Sequence, residues 1–278
     1  MNVLHTTLQN ALEQIQGVHP LLHCISNIVT ANDCANLALA IGASPIMAQE
    51  PQEMPQIAAL AKAIVLNTGT PDEAKFQAAA IAGKTANRLH IPVILDPVGI
   101  GASTWRLNHI HDLLSQVHPD ILRVNLGEAR ALLGQTGTEH GVDSLESFRR
   151  TETDFCAREL ANALHTVVLL SGEEDLVTDG IRLKRISGGS PLTRSVTGAG
   201  CMLSVLCGAF ASIETTFLEA TPEAATSQPD YYSSACLAAH FWKLCAESAA
   251  QTSSTPGSFH VGLFDAAYKL SIFNEKGI

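Results

Sequence analysis

The chain has 278 residues, of which 46% are hydrophobic and 16% charged, with a formal charge of -10. That supply of apolar side chains suits a large folded core and excludes a chain disordered throughout, and the acidic balance argues against a general nucleic-acid or membrane-surface binder. Seven scattered cysteines form neither a CxxC pair nor a Cys/His cluster of zinc spacing, and read as reduced thiols.

Residues 1–17 mix polar side chains such as Gln9, Asn10 and Glu13 with apolar ones, unlike the basic start and apolar run of a secretory leader. No apolar run is long enough to cross a bilayer, so the expected compartment is the cytoplasm. An amphipathic helix over Leu4–Ile15 precedes a strand at Leu21–Ile25, and the polar pair Ser26-Asn27 leads into an Ala/Leu-rich helix that Gly42 stops. A short strand follows at Ser44–Ala48, with Met47 near its end, and Pro51 and Pro55 open the next helix.

Strands at Ala63–Asn67, Pro92–Leu95, Ile121–Val124 and Val167–Leu170 alternate with helices at Asp72–Leu89, Leu107–Val117, Glu128–Leu133 and Leu145–Leu164. Short apolar strands alternating with helices predict a doubly wound α/β domain whose mostly parallel sheet is flanked by helices on both faces. Leu176–Ile186 breaks the pattern, because Thr178-Asp179-Gly180 forms a turn between two short runs and predicts an antiparallel edge hairpin. Helices are expected at Cys201–Ile213, Tyr231–Ala250 and from an N-cap at Ser258 toward Phe273, with Thr221–Asp230 as an exposed connection. Neither a repeat nor a domain boundary interrupts residues 1–278, which read as a single domain.

Ligands of open α/β sheets bind outside the carboxyl ends of the strands. Here those ends carry Asn27, Asn67, Asp96, Asn125 with Glu128 one helical turn on, and Ser171-Gly172. Each alone is a common cap or turn residue; as a set they suggest a site. The stretch Val196-Thr197-Gly198-Ala199-Gly200-Cys201 joins them, a glycine turn feeding a helix whose first amides and partial positive charge can cradle an anion. Cys201 in that field is expected to have a lowered thiol pKa. Two acids, Asp96 and Glu128, beside an amide cradle suggest a phosphate site using Mg²⁺, which takes one or two carboxylates together with waters and phosphate oxygens. Arg123 can serve a phosphate or can hold Glu128 or Asp120 in place. The chain has no GxxxxGK[ST] loop, no kinase HRD or DFG set and no GxGxxG after its first strand.

In the segments His23–Asn27, Val29–Asn36, Ile41–Ala48, Leu66–Thr70, Ile94–Ala102, Arg123–Glu128, Leu170–Glu173, Val196–Met202 and Pro256–Phe259 the chain resembles the hydroxyethylthiazole kinases of the ribokinase-like superfamily. That resemblance implies a ribokinase-like fold and ATP-dependent phosphorylation of the primary hydroxyl of hydroxyethylthiazole, with Mg²⁺ as cofactor, on the route to thiamine. It implies a metal site at Asp96 and Glu128, ATP contacts from Arg123, Asn125, Ser171 and Thr197, and thiazole contacts from Asn27, Met47 and Gly198. The amides of Gly198, Ala199 and Gly200 are then the anion hole, and Cys201 a candidate base of second rank, since phosphoryl transfer depends first on positioning and charge stabilisation. A homotrimer with sites between subunits is also implied. The chain departs from the usual family pattern at Val124, where Gly is common, and at Ser171, where Thr is.

Overall fold

The computed structural model describes residues 3–135, 145–213 and 229–272, and side chains within those ranges outside 3–5 and 145–149. Residues 221–228 of the expected exposed connection, and Phe273 at the expected end of the last helix, lie outside them.

Among the described residues eight strands form one sheet in the order β2-β1-β3-β4-β5-β6-β7-β8. They are β1 (Leu21–Ile25), β2 (Ser44–Ile46), β3 (Ala63–Asn67), β4 (Val93–Asp96), β5 (Ile121–Asn125), β6 (Val167–Ser171), β7 (Asp175–Thr178) and β8 (Leu183–Ile186). The first six are parallel, and β7 and β8 are added antiparallel at one edge. The hairpin and doubly wound sheet are therefore those the sequence pattern predicts. Strand order reverses at β1, which lies between β2 and β3, so the crevice outside the carboxyl ends of β1 and β3 is the place where such folds bind ligands.

Strand residues alternate between two cores. Leu22, Cys24, Val65, Ile94 and Leu169 pack with the helices α1 (Val3–Val18), α2 (Ala31–Ala40), α8 (Ala199–Ala211), α9 (Tyr231–Thr252) and α10 (Pro256–Ile272). Ile25, Leu66, Leu95, Val124 and Leu170 pack with α3 (Met54–Leu60), α4 (Glu73–Leu89), α5 (Thr104–Leu114), α6 (Leu126–Leu132) and α7 (Leu145–Leu164). This two-residue period places Arg123 on the α8 face and Val124 on the opposite one.

Local chemistry sets several boundaries. Asp72 caps α4 by accepting from the Lys75 amide, and Ser103 caps α5 by accepting from the Arg106 amide, which starts that helix three residues before the expected Leu107. Asn125 and Glu128 form a reciprocal capping box, so α6 begins at Leu126 rather than Glu128. The last helix corrects another expectation. Ser258 is not its N-cap: the helix starts at Pro256, and the Phe259 amide already bonds the Thr255 carbonyl at 2.9 Å. Proline is suited to that first helical position because it has no amide to satisfy there.

Candidate active site

The polar strand ends converge in one network. Asp96, at the end of β4, is fully buried: one carboxylate oxygen meets the Arg123 guanidinium at 3.2 Å, and the other accepts from Asn67 Nδ2 and Ser204 Oγ, each at 2.8 Å. Asn67 passes the network on, since its Oδ1 accepts from Asn27 Nδ2 at 3.0 Å and from the Gly69 amide at 3.0 Å. Asn27 Oδ1 accepts from the amides of Val29 and Thr30, which fixes its amide group so that Nδ2 also reaches Cys201 Sγ at 3.3 Å.

Arg123 pairs with Asp96 rather than with Glu128 or Asp120, the two partners its sequence neighbourhood offered. Asp120 lies at the opposite end of the strand and accepts from the Val93 amide at 2.8 Å. The second Arg123 nitrogen donates to Ser171 Oγ at 2.7 Å, so the hydroxyl is in use although the threonine methyl is missing. Val124 packs into the core on the far face, and its side chain therefore does not narrow the Arg123 side of the sheet.

The turn before α8 brings backbone against this network. Gly198 has φ +79°, and a Cβ there would lie 2.3 Å from Thr30 Cγ2. A Cβ on Gly200 would lie 2.2 Å from Arg123 Nη2. The first i→i−4 bond of α8 runs from Met202 to the Gly198 carbonyl at 2.9 Å, so the amides of Ala199, Gly200 and Cys201 have no partner within the helix. A guanidinium and three amides at a helix N-terminus make an environment for multiply charged anions.

Cys201 corrects the sequence reading of its acidity. The residue is 7% exposed, and burial, with the Asp96 charge, pushes its thiol pKa up despite the helix terminus. It is a neutral thiol at physiological pH. Glu128 is also buried, and its pKa is raised by burial and by Asp96 against the opposing Arg123 charge. Its two oxygens accept from the Gly99 amide at 3.0 Å and the Asn125 amide at 2.9 Å, leaving lone pairs on both. A buried carboxylate short of positive charge and close enough to sense Asp96 fits a divalent cation. Among the described residues no group of three or more His, Cys, Asp or Glu gathers at one point. Two carboxylates with the rest of the shell supplied by water and phosphate is the usual Mg²⁺ arrangement.

The remaining expected residues are less central. Met47 follows β2 and packs against the α8-side core, and Gln49 nearby donates to the Ser26 carbonyl at 3.1 Å. Thr197 is exposed on the turn and does not line the adjoining cavity. Asn125 spends its side chain on the α6 cap. His23 is buried with a lowered pKa caused by desolvation, and bonds the Ala48 carbonyl at 3.0 Å as a structural residue.

Beside Arg123 opens a cavity of about 430 Å³, lined by Ser171, Gly172, Gly188, Ser190, Arg194, Gly200, Trp242 and Lys243 among others. Its α9 wall was not evident from sequence. Lys243 reaches the carbonyls of Gly172 and Glu173 at 3.1 and 2.9 Å and the Asp175 carboxylate at 3.2 Å, tying the β6–β7 loop to that wall. One lysine in an otherwise apolar stretch of α9 was the available signal. Ser204, likewise alone among apolar neighbours in α8, was the signal for the second Asp96 partner.

A model of the hydroxyethylthiazole kinase family matches residues 12–273. The hydroxyethylthiazole kinase of Clostridium botulinum (strain Alaska E43 / Type E3) is 38% identical over 272 residues, covering 96% of this chain and 92% of that protein. That of Methanocella arvoryzae is 38% identical over 265 residues, covering 95% and 94%. A solved structure of a hydroxyethylthiazole kinase protein from Pyrococcus horikoshii OT3 superposes with a TM-score of 0.82 at 33% identity, covering 95% of this chain and 93% of that one. A ribokinase-like superfamily protein from Enterococcus faecalis V583, at 12% identity and TM-score 0.61 over 94% of each chain, shares the fold.

Proposed function

The chain belongs to the hydroxyethylthiazole kinase family, and from that premise we propose how its own residues divide the work. The reaction is ATP-dependent phosphorylation of the primary hydroxyl of 4-methyl-5-(2-hydroxyethyl)thiazole, giving the thiazole phosphate used in thiamine salvage and biosynthesis.

Asn27, Met47 and Gly198 hold the thiazole, and Arg123 and Ser171, which line the cavity, serve ATP, with Asn125 and Thr197 as the flanking ATP contacts that family membership implies. The observation that carries this division is the position of Arg123. It lies between the cavity beside α9 and the Asp96–Asn67–Asn27 chain, against the Gly200 backbone, at the junction of a nucleotide space and an alcohol space.

In-line phosphoryl transfer spreads negative charge over the equatorial oxygens of the moving group. Arg123 and the amides of the expected anion hole, Gly198, Ala199 and Gly200, joined by that of Cys201, stabilise that charge without having to reorganise. Asp96 orients Arg123, while Asn67 and Ser204 fix Asp96. Asp96 and Glu128 would hold Mg²⁺, which when bound neutralises phosphate charge. The Cys201 thiol packs against Asn27 Nδ2, and its raised pKa supports orientation of the alcohol over proton abstraction as its main contribution.

The whole chain, residues 1–278, acts as one kinase domain, a reading supported by the one sheet that the described residues form. A homotrimer with sites between subunits is supported by Ile28 and Val29, which directly follow Asn27 and are 80% and 58% exposed although apolar. Seven unpaired thiols favour a reducing compartment, and the cytoplasm is the location proposed. Among the described residues no helix is long and apolar enough to cross a membrane.

The test is an ADP-release assay with Mg²⁺ and three alcohols: hydroxyethylthiazole, hydroxymethylpyrimidine and pyridoxal. Turnover of the thiazole alone supports the assignment, and preference for either of the others contradicts it.

A further inference from the structure

Lys75 stands where helix energetics give no reason for a lysine. It is the third residue of α4, in the turn that carries the partial positive charge of the helix and favours carboxylates. It is only 5% exposed, and the carboxylate whose charge it senses, that of Asp72, already accepts from the Lys75 amide at 2.8 Å as the cap of the helix. Its ammonium instead donates to backbone oxygen: the carbonyls of Ser26 and Gly69, each at 2.9 Å, and of Thr70 at 3.2 Å, with Thr70 Oγ1 at 3.4 Å. Several carbonyls and a hydroxyl around one positive centre replace a hydration shell much as they do for a bound monovalent cation.

The oxygens come from two loops, one after β1 and one after β3, on either side of the point where strand order reverses. The same loops are joined by Asn27 Nδ2 to Asn67 Oδ1 at 3.0 Å and by the Ile28 amide to Thr70 Oγ1 at 3.2 Å. Thr70 has φ +43°, a conformation that a threonine adopts only when its surroundings impose it. Lys75 holds three backbone oxygens that would otherwise repel one another, and one of them belongs to Ser26, the residue before Asn27.

We infer that Lys75 is a built-in monovalent cation, a positioning residue that locks the β1 and β3 loops together so that Asn27 presents a fixed amide to the thiazole, with no dissolved ion required there. The inference rests on the reading of Asn27 as a thiazole contact. It makes the thiazole half of the site sensitive to Lys75 and leaves the nucleotide half, on the far side of Arg123, insensitive.

The experiment compares full-length wild type, Lys75→Ala and Asn27→Ala, measuring KM for hydroxyethylthiazole and for ATP separately, with ethylammonium, potassium or tetramethylammonium added. Loss of hydrogen bonds from a charged donor corresponds to a rise of about tenfold to a hundredfold in the thiazole KM of Lys75→Ala, with the ATP KM within about twofold. Ethylammonium, which restores the missing nitrogen, should recover most of the loss, and tetramethylammonium, which cannot donate, should recover none. A thiazole KM that stays put, rises together with the ATP KM, or is rescued equally by tetramethylammonium overturns the inference. If Asn27→Ala leaves the thiazole KM unchanged, the site reading itself falls; if Asn27→Ala raises it and Lys75→Ala does not, only the role of Lys75 falls. Should Lys75→Ala not fold, Thr70→Val and Thr70→Ser decide: a raised thiazole KM in the first and a normal one in the second support the lock, and equal values contradict it.

Discussion

Gly200 is the residue at which backbone, charge and substrate space meet most closely. A methyl group there would collide with the Arg123 guanidinium, whose other contacts are to the buried Asp96 and to Ser171. Gly200→Ala should therefore displace Arg123 and lower kcat by about a hundredfold, the usual scale for losing one preorganised oxyanion donor, while the thiazole KM changes little. Measured kcat and KM for that variant check the expectation. The strand-end polar residues were legible in sequence because each follows an apolar strand. Their partnerships were not: Asp96 and Arg123 are 27 positions apart, and Ser204 is 108 positions from Asp96. The direction of the Cys201 shift was missed for a related reason. The helix terminus is visible in sequence, but the burial and the Asp96 charge that outweigh it come from the tertiary fold.

Two elements hold the site's edges, and each has its own signature. In α6 the capping box makes Asn125 and Glu128 serve helix stability as well as chemistry. Asn125→Ala should cost about 1 kcal/mol of unfolding free energy through the lost cap, read as a lower urea midpoint, together with a raised ATP KM, whereas Glu128→Ala should lose most turnover. In α9, Lys243 bonds the β6–β7 loop through Gly172, Glu173 and Asp175. Lys243→Met should raise the ATP KM by about tenfold or more, since truncating one side of a buried charged contact carries a cost of that size, and leave the thiazole KM near wild type; equal effects on both would contradict separate halves. At this scale the sequence was highly informative. Apolar runs located the six parallel strands, and Asp179-Gly180 between two short runs, the second alternating apolar and basic residues, located the hairpin, because these signals are local. Helix starts moved wherever a cap, such as Ser103 or Asn125, lies ahead of the first apolar residue.

Across the whole molecule the buried thiols couple stability to pH. Burial pushes the Cys34 and Cys236 pKa values up to about 12, and raises those of Cys24, Cys207 and Cys245 further. In the unfolded chain the same thiols ionise near pH 8.5. A folded-state pKa above the unfolded one gives stability that is complete below about pH 8.5 and is lost as pH rises toward the folded values. Urea midpoints should thus be level through neutrality and fall steeply between about pH 9 and 11; a flat profile over that range would contradict the burial of these cysteines as thiols. The central claim, that catalysis rests on charge stabilisation and positioning at the strand ends rather than on deprotonation by the thiol, is tested most directly by steady-state turnover of Asp96→Ala, Glu128→Ala and Cys201→Ala with hydroxyethylthiazole, ATP and saturating Mg²⁺. Appreciable turnover in Cys201→Ala beside near-complete loss in the two carboxylate variants is the predicted result, and an inactive Cys201→Ala beside an active Glu128→Ala would contradict it.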